Sequence, residues 1–169
     1  MSAQPIRTTV LGAGLSLSAF HYPIITSYPD LFTLHSVLER SADLTPNAET
    51  GKSYTKSAAK DRCGDSVRVV KSLEEVTGDK DVELVVIGVP NNLHFEYAKK
   101  CMEAGKHGAS LSSFFALSFL SLAAVMLEKP ITTTYEESLQ LIEIAKKNNV
   151  ILTTYQNRRW YVVALVDDI

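Results

Sequence analysis

Short apolar runs rich in β-branched residues alternate along the chain with longer segments in which apolar positions recur at helical spacing. The runs at residues 6–11, 32–38, 67–70, 82–89, 125–127 and 150–155 predict six strands. The run at 82–89 is nearly continuous, which is typical of a strand buried on both faces. Alternating strands and helices predict an α/β fold: a doubly wound parallel sheet with right-handed crossovers.

The helices are predicted from apolar spacing and from their end signals. Segment 15–27 contains Pro23, so we expect a short or kinked helix there, and segment 53–63 predicts a weak helix. Ser72 and Thr134 each begin a capping box, and the second box opens a helix that reaches about residue 148. Another helix is expected to begin at a cap of Asn91 or Asn92 and to end at Gly105, in the C′ position.

Composition narrows the function classes. The 169 residues are 46% hydrophobic and 21% charged, and the net charge of −2 shows no basic excess, so no nucleic-acid partner is expected. Cys63 and Cys101 form no CxxC motif and no Cys/His cluster, which argues against a disulfide scaffold and a zinc site and favours a reducing compartment. The N-terminal residues lack an apolar signal-peptide core. We therefore expect a cytoplasmic protein without a metal.

Residues 108–127 contain no charged side chain, and 20 such residues are long enough to span a bilayer. Five serines lower the apolarity of this segment, and a membrane span there would pull the following strand away from the sheet. We expect an extra apolar helix or loop on the surface, and no membrane association.

The first strand runs into the turn Gly12-Ala13-Gly14-Leu15-Ser16 at the start of a helix. A glycine at position 12 allows a tight turn, and one at position 14 lets the backbone approach a pyrophosphate. The N–H groups of Leu15 and Ser16 at the helix N-terminus would then bind the phosphates, and the Ser16 hydroxyl can add a contact. Leu17 replaces the usual third small residue, so an ordinary turn remains the alternative.

The second strand ends at Glu39 and Arg40, and Glu39 follows Gly14 by 25 positions. An acidic residue at this strand end is where an adenine ribose would be bound through its hydroxyls, which favours NAD. Arg40 could accept a 2′-phosphate instead, so NADP stays open. The alternative is a solvated pair at the end of a strand.

Three further motifs follow in order: Pro90-Asn91-Asn92-Leu93-His94, Glu128-Lys129-Pro130, and Gln156-Asn157-Arg158-Arg159-Trp160. Together with Gly12-Ala13-Gly14 and Phe20-His21, they resemble the Gfo/Idh/MocA family of NAD(P)-dependent oxidoreductases. The resemblance covers most of residues 5–160. It implies a Rossmann-like nucleotide-binding domain at 1–160, and in the full-length relative hydride transfer between NAD(P) and a sugar, a polyol or a related hydroxyl compound.

The resemblance also assigns roles. The loop after the fourth strand lies against the cofactor, and the lysine of Glu128-Lys129-Pro130 lies near the nicotinamide and the substrate hydroxyl, before a proline that is often cis. A lysine there can accept a proton or stabilise a developing alkoxide, so Lys129 is the predicted catalytic residue. The predicted cofactor-binding residues are Gly12, Gly14, Leu15, Ser16, Glu39, Arg40, Pro90, Asn91, His94, Glu128, Lys129, Arg159 and Trp160.

For three of these residues, a role without any cofactor contact remains the alternative. Lys129 can be an ordinary surface lysine, His94 a locally bonded histidine on a helix face, and Trp160 a core residue at the end of the last strand.

The chain departs from the family pattern in two places. Family members run Ala-Gly-Lys-His directly into Val-x-x-Glu-Lys-Pro, whereas here residues 108–124 intervene, which we interpret as translated intron or splice-variant sequence. The family's C-terminal domain, which supplies an acid/base pair and commonly the oligomer interface, is expected to be missing after the divergent tail 161–169. This chain alone is therefore expected to show little or no activity. The alternative is a non-enzymatic regulatory protein of the same fold, of the galactose-regulon repressor type.

Overall fold

The computed structural model describes residues 4–105 and 124–156. These residues contain one six-stranded sheet in which neighbouring strands are all parallel, in the order β3-β2-β1-β4-β5-β6. The strands are β1 (Ile6–Leu11), β2 (Phe32–Leu38), β3 (Val69–Val70), β4 (Leu84–Ile87), β5 (Ala124–Glu128) and β6 (Ile151–Tyr155). The predicted α/β class and the doubly wound, Rossmann-like sheet are confirmed.

Within the described residues, five α-helices lie between the strands: α1 (Tyr22–Ser27), α2 (Ala58–Cys63), α3 (Leu73–Thr77), α4 (His94–Ala104) and α5 (Tyr135–Asn148). A π-helical segment, Leu17–His21, leads directly into α1, and a 3₁₀ turn, Asn91–Leu93, leads into α4. The irregularity expected near Pro23 therefore lies in the wide turn just before it, and the proline occupies the first turn of α1, where its missing N–H costs little. None of the helices in these described stretches is long and apolar enough to cross a membrane.

Both predicted capping boxes are present. The Ser72 hydroxyl accepts from the Glu75 N–H at 3.2 Å, and the Thr134 hydroxyl accepts from the Glu137 N–H at 3.2 Å. In each box the glutamate side chain bonds back to the N-cap backbone N–H. These caps satisfy N–H groups that have no partner within the helix, which explains why both helix starts could be read from local sequence.

Other helix boundaries differ from the prediction. Helix α2 begins at Ala58 and not at residue 53, because Ser57 is its N-cap. The expected asparagine caps of α4 are wrong: Pro90 and Leu93 occupy the N-cap positions of the 3₁₀ turn and of α4, with no side-chain cap. Gly105 does end α4, but at the C-cap itself and with a right-handed φ of −60°, so it is not a left-handed C′ glycine.

The core lies on both faces of the sheet. Along β4, Val85 and Ile87 pack into one hydrophobic cluster, while Leu84 and Val86 pack into the other. This alternation confirms that β4 is buried on both faces, as its apolar run predicted. Because the strand order reverses between β1 and β4, the loops that leave these two strands flank the crevice in which ligands bind sheets of this kind.

Candidate functional site

The turn after β1 and the end of β4 approach each other very closely. Gly12 has a φ of +109°, and a Cβ placed on it would lie 2.7 Å from the carbonyl oxygen of Gly88. The Gly12 N–H also donates to the Leu38 carbonyl at 3.0 Å, which ties the turn to the end of β2. Only glycine fits at position 12, as the tight turn predicted, because any side chain would meet backbone atoms in an unfavourable conformation.

Gly14 differs from Gly12 in both respects. Its φ lies outside the left-handed range, and a Cβ there would meet no heavy atom within 4 Å. The backbone N–H groups of Gly14, Leu15 and Ser16 find no hydrogen-bond acceptor among the described residues. Leu15 is 73% exposed beside them. The turn therefore offers open space and donors at a helix N-terminus, which is what a phosphate group requires.

The side chain of Ser16 faces inward. Its Oγ donates to Glu128 Oε1 at 2.9 Å, and the same carboxylate oxygen lies 2.7 Å from His21 Nε2. We call Ser16, His21 and Glu128 the Glu128 cluster. Since an ionised carboxylate only accepts hydrogen bonds, Nε2 carries the imidazole proton and donates it. The cluster joins the turn after β1 and the π-helical segment to the end of β5.

The environment of His21 favours its neutral form. The residue is only 4% exposed, and burial lowers the pKa of its imidazole below the usual value. The hydrogen bond and the negative charge of Glu128 oppose that shift without cancelling it. The ring also packs edge-on against Tyr155 of β6, with 5.1 Å between the centroids. A neutral imidazole with Nε2 protonated is therefore the form that fits the cluster near pH 7.

Lys129 follows Glu128 directly and is exposed, at the carboxyl edge of the sheet. The Lys129–Pro130 peptide is cis, as the resemblance implied. His94 is fully buried, and its two ring nitrogens lie 2.8 Å from the Pro130 carbonyl oxygen and 2.9 Å from that of Val89. His94 thus links the loop after β4 to the segment after Lys129. A direct contact between His94 and a cofactor would have to replace one of these two contacts.

Glu39 makes an unexpected set of contacts. Its carboxylate is 7% exposed and accepts from the Ser57 hydroxyl at 2.7 Å and from the N–H groups of Ala58 and Ala59 at 2.8 and 3.1 Å. It therefore fixes the first turn of α2 to the end of β2, and this interaction explains why α2 begins where it does. Binding of a ribose by Glu39 would compete with these three donors.

The remaining predicted residues divide into two groups. Arg40, Pro90 and Asn91 are exposed at the same edge of the sheet as Gly14 and Lys129. Arg159 and Trp160 lie outside the described residues, as do positions 108–123 of the expected insertion and the tail 161–169. Ala124, the last residue of the expected insertion, belongs to β5 and pairs with Leu84 of β4.

Sequence reasoning assigned no role to His21 or Gly88. A Cβ on Gly88 would lie 2.8 Å from the Ser16 hydroxyl oxygen, so this glycine makes room for the serine that bonds to Glu128. The sequence did offer a signal for Gly88, because a glycine at the end of a buried strand often marks the close approach of another group. His21 was part of the Phe20-His21 motif of the family resemblance, but the motif assigned it no contact.

The geometry fits a dinucleotide. Groups that could bind a cofactor lie along the carboxyl edge of the sheet, on both sides of the point where the strand order reverses. They are the N–H donors of Gly14–Ser16, the exposed Arg40 after β2, and Lys129 after β5. Phosphates, adenine ribose and nicotinamide occupy corresponding positions in folds with this strand order.

Comparisons with known proteins identify the family of the chain. Residues 6–108 match the profile of the oxidoreductase family with an NAD-binding Rossmann fold, Gfo/Idh/MocA. An uncharacterised oxidoreductase of Schizosaccharomyces pombe is 37% identical over 92% of this chain, and the scyllo-inositol 2-dehydrogenase (NADP(+)) of Bacillus subtilis is 34% identical over 92%. Among solved structures, a Bacteroides fragilis protein superposes with a TM-score of 0.69 at 32% identity, covering 94% of this chain and 39% of that one.

A more distant structure shares the fold. The WlbA dehydrogenase of Chromobacterium violaceum, solved with NADH and UDP-GlcNAcA, has a TM-score of 0.69 at 24% identity and covers 98% of this chain and 39% of that one. The chain spans about a third of its curated relatives, 35% of the S. pombe protein and 34% of the B. subtilis enzyme. With its glycine turn, its strand order and these matches, the chain belongs to the Gfo/Idh/MocA oxidoreductase family, within its NAD-binding Rossmann domain.

Proposed function

We propose that this chain binds NAD or NADP along the carboxyl edge of its sheet and that, within a complete oxidoreductase, it serves hydride transfer at a CH–OH group of a sugar or polyol. The observation that carries the proposal is the hydrogen bond between Ser16 and Glu128, 2.9 Å long. It brings the phosphate-binding turn next to the segment that bears Lys129, although the two are 112 positions apart. The polyol class is supported by the similarity to scyllo-inositol 2-dehydrogenase.

Different residues of this chain would bind the cofactor and assist the hydride transfer. The N–H groups of Gly14, Leu15 and Ser16 bind the pyrophosphate, and the space above Gly14 admits it. A bound nicotinamide supplies the group that accepts or donates the hydride. The Lys129 ammonium lies at the edge where the substrate hydroxyl would sit, and it stabilises an alkoxide or exchanges a proton with that oxygen.

The cofactor preference depends on the end of β2. A free carboxylate at Glu39 would favour NAD by binding the ribose hydroxyls and repelling a 2′-phosphate. In the structure both Glu39 oxygens accept hydrogen bonds from the start of α2, while Arg40 is exposed. We therefore propose that NAD and NADP both bind, with a smaller preference for NAD than a free carboxylate would give.

Titration of the purified chain with NADH and NADPH, followed by fluorescence and calorimetry, tests the proposal. A second version lacking residues 108–123 is the matched comparison, because its two-residue link from Gly105 to Ala124 falls within the usual length of helix-to-strand loops. Saturable binding of either cofactor by either version supports the proposal. Failure of both folded versions to bind at millimolar cofactor would contradict it. Binding only after the deletion would show that the extra segment blocks the site.

Catalysis is a separate expectation. The resemblance places the acid/base pair in a second domain, and 169 residues span about a third of the matched relatives. We propose that the chain expressed alone binds its cofactor in the cytoplasm without turning over polyols. Steady NADH production from scyllo-inositol or another polyol would refute that part. The relatives that match carry oxidoreductase names, so the regulatory alternative is not favoured.

A further inference from the structure

The Glu128 cluster unites three segments that are distant in sequence. Ser16 belongs to the turn that offers its N–H groups to phosphate, Glu128 ends β5 just before Lys129, and His21 lies on the helix between β1 and β2. His21 is itself buried, so it has no route to a bound cofactor. Its polar contact is with a carboxylate that adjoins the predicted catalytic lysine.

The π-helical segment is what allows Ser16 and His21 to share one oxygen. In a regular α-helix, residues five apart differ in direction by about 140°. In the π-helical segment the hydrogen bonds run between residues five apart, as the bond from the Tyr22 N–H to the Leu17 carbonyl shows. The wider turn brings residues 16 and 21 toward the same side. Both side chains therefore reach Glu128 Oε1, at 2.9 and 2.7 Å.

Packing leaves the cluster little freedom. The His21 ring contacts Tyr155 of β6 edge-on, and Phe20 packs against the same tyrosine with 5.9 Å between centroids. Gly88, the residue after β4, lies against the cluster, because even one methyl group there would displace the Ser16 hydroxyl. The Glu128 side chain is 13% exposed, so the imidazole bond is made largely out of water, where its orienting effect is strongest.

We propose that His21 is a positioning residue of the cofactor site: it holds the Glu128 carboxylate, and with it the strand end that carries Lys129, against the Gly12–Ser16 turn. The inference rests on the proposed cofactor site. Its consequence is that cofactor affinity depends on the hydrogen bond from His21, although His21 does not touch the cofactor. Without the bond, the Ser16 hydroxyl alone holds the Glu128 carboxylate, and both the turn and the β5 end gain freedom.

Two substitutions separate the hydrogen bond from packing. His21→Phe keeps an aromatic ring against Tyr155 but removes the donor, whereas His21→Gln removes the ring and retains an N–H donor of similar reach. We expect His21→Phe to weaken NADH and NADPH binding roughly tenfold, as loss of one hydrogen bond to a charged group would. We expect His21→Gln to bind within about threefold of the native chain by the same reasoning. A purely structural role would give the opposite order, with affinity following thermal stability.

His35→Phe is the matched control. His35 is also a partly buried histidine bonded to a carboxylate, with Nε2 2.9 Å from Asp79 Oδ2. That pair lies near the loop that enters β4, at the opposite edge of the sheet from Lys129. The control should leave affinity unchanged. If it weakens binding as much as His21→Phe does, the effect is general and the proposal is overturned.

Hydrogen exchange measured by mass spectrometry without cofactor gives a second readout. In His21→Phe we expect faster exchange of backbone amides both in residues 12–17 and in residues 128–131, with the rest of the sheet unchanged. Gly88→Ala, which crowds the Ser16 side chain and leaves the His21 bond to Glu128 in place, should speed exchange in the first segment more than in the second. If His21→Phe does not fold, His21→Asn, whose amide is too short to reach Glu128, replaces it.

The outcomes distinguish the two proposals. If the native chain binds a cofactor, and His21→Phe shows the same affinity and the same exchange as the native chain, the role of His21 is overturned. The proposed function then stands. If the native chain binds neither cofactor, the proposed function fails together with the dependence of affinity on His21, and exchange alone decides whether His21 holds the β5 end against the turn. Faster exchange in both segments then supports it, and unchanged exchange overturns it.

Discussion

Substitution of Gly14 by alanine should leave the fold intact and disable the cofactor site. The added methyl group meets no heavy atom within 4 Å, and the φ of Gly14 suits an L-residue. A glycine-to-alanine change in such a conformation stabilises a protein by about 0.4–1 kcal/mol, because the unfolded chain loses freedom. The methyl group would, however, occupy the space that admits the pyrophosphate. Loss of one or two hydrogen bonds to a charged group corresponds to a decrease in affinity of roughly 10- to 100-fold or more.

Substitution of Gly12 by alanine should instead lower the stability of the fold. Its Cβ would lie 2.7 Å from the Gly88 carbonyl oxygen, and φ is +109°. Backbone strain costs about 1–3 kcal/mol and overpacking about as much again, so the melting temperature should fall by roughly 5 °C or more. Gly64→Ala is the matched control, since Gly64 has a φ of +95° but no atom within 4 Å of its Cβ position. The difference between Gly12→Ala and Gly64→Ala measures the contact with Gly88.

Thermal unfolding by circular dichroism and NADH titration by fluorescence, made on the same preparations, check both changes. A folded Gly14→Ala chain that binds NADH and NADPH as tightly as the native chain would refute the assignment of phosphates to this turn. A Gly12→Ala chain no less stable than Gly64→Ala would refute the close approach of β1 and β4. Because Gly14→Ala should lose affinity without losing stability, a general loss of structure cannot produce the expected pattern.

Three further predictions concern single side chains. Arg40→Ala should weaken NADPH binding roughly tenfold and NADH binding much less, as measured by the same titrations, if Arg40 binds a 2′-phosphate. Thr134→Ala removes the cap of α5 and should lower the free energy of unfolding by about 1 kcal/mol in urea denaturation. Burial raises the pKa of Asp79, but hydrogen bonds from His35 and Arg68 outweigh burial and leave that pKa below its usual value. The stabilisation that comes from this lowered pKa is complete above the unfolded pKa of about 4 and is lost as the pH falls below it. The melting temperatures of the native chain and of Asp79→Asn should therefore converge as the pH is lowered from about 5 to about 2.

The strands and caps were predictable because their signals are local. The bounds of β1 and β2 match the predicted runs, and both capping boxes lie where a Ser or Thr stands three positions before a Glu. The predicted strands β3 and β4 were too long, because flanking valines continue the apolar run although they do not pair with a neighbouring strand. Local pattern identifies an element more reliably than it identifies the last residue of that element.

The contacts of the candidate site were less predictable because they join distant residues. Glu39 was predicted at the correct strand end, but nothing in its surroundings indicated that Ser57 and the next two N–H groups would bind it. Glu128 and Ser16 were each predicted to contact the cofactor, and in the structure they bond to each other across 112 positions. The sequence does not show which protein groups compete with a ligand for a given side chain. Predictions from sequence therefore overestimate the contacts of a side chain with ligands and miss its contacts with the rest of the protein.

The position of Lys129 does not depend on how residues 106–123 are arranged. Strand β5 pairs with β4 from Leu84–Ala124 to Ile87–Leu127, and with β6 from Ala124–Ile151 onward. Both neighbours are parallel and fix the register of β5, and a slip by one residue would turn the buried Val125 and Leu127 out of the core. The Glu128 cluster then anchors the end of the strand. An extra segment before β5 therefore alters the entry to the strand, whereas the edge that bears the catalytic candidate is determined by the sheet and by His21.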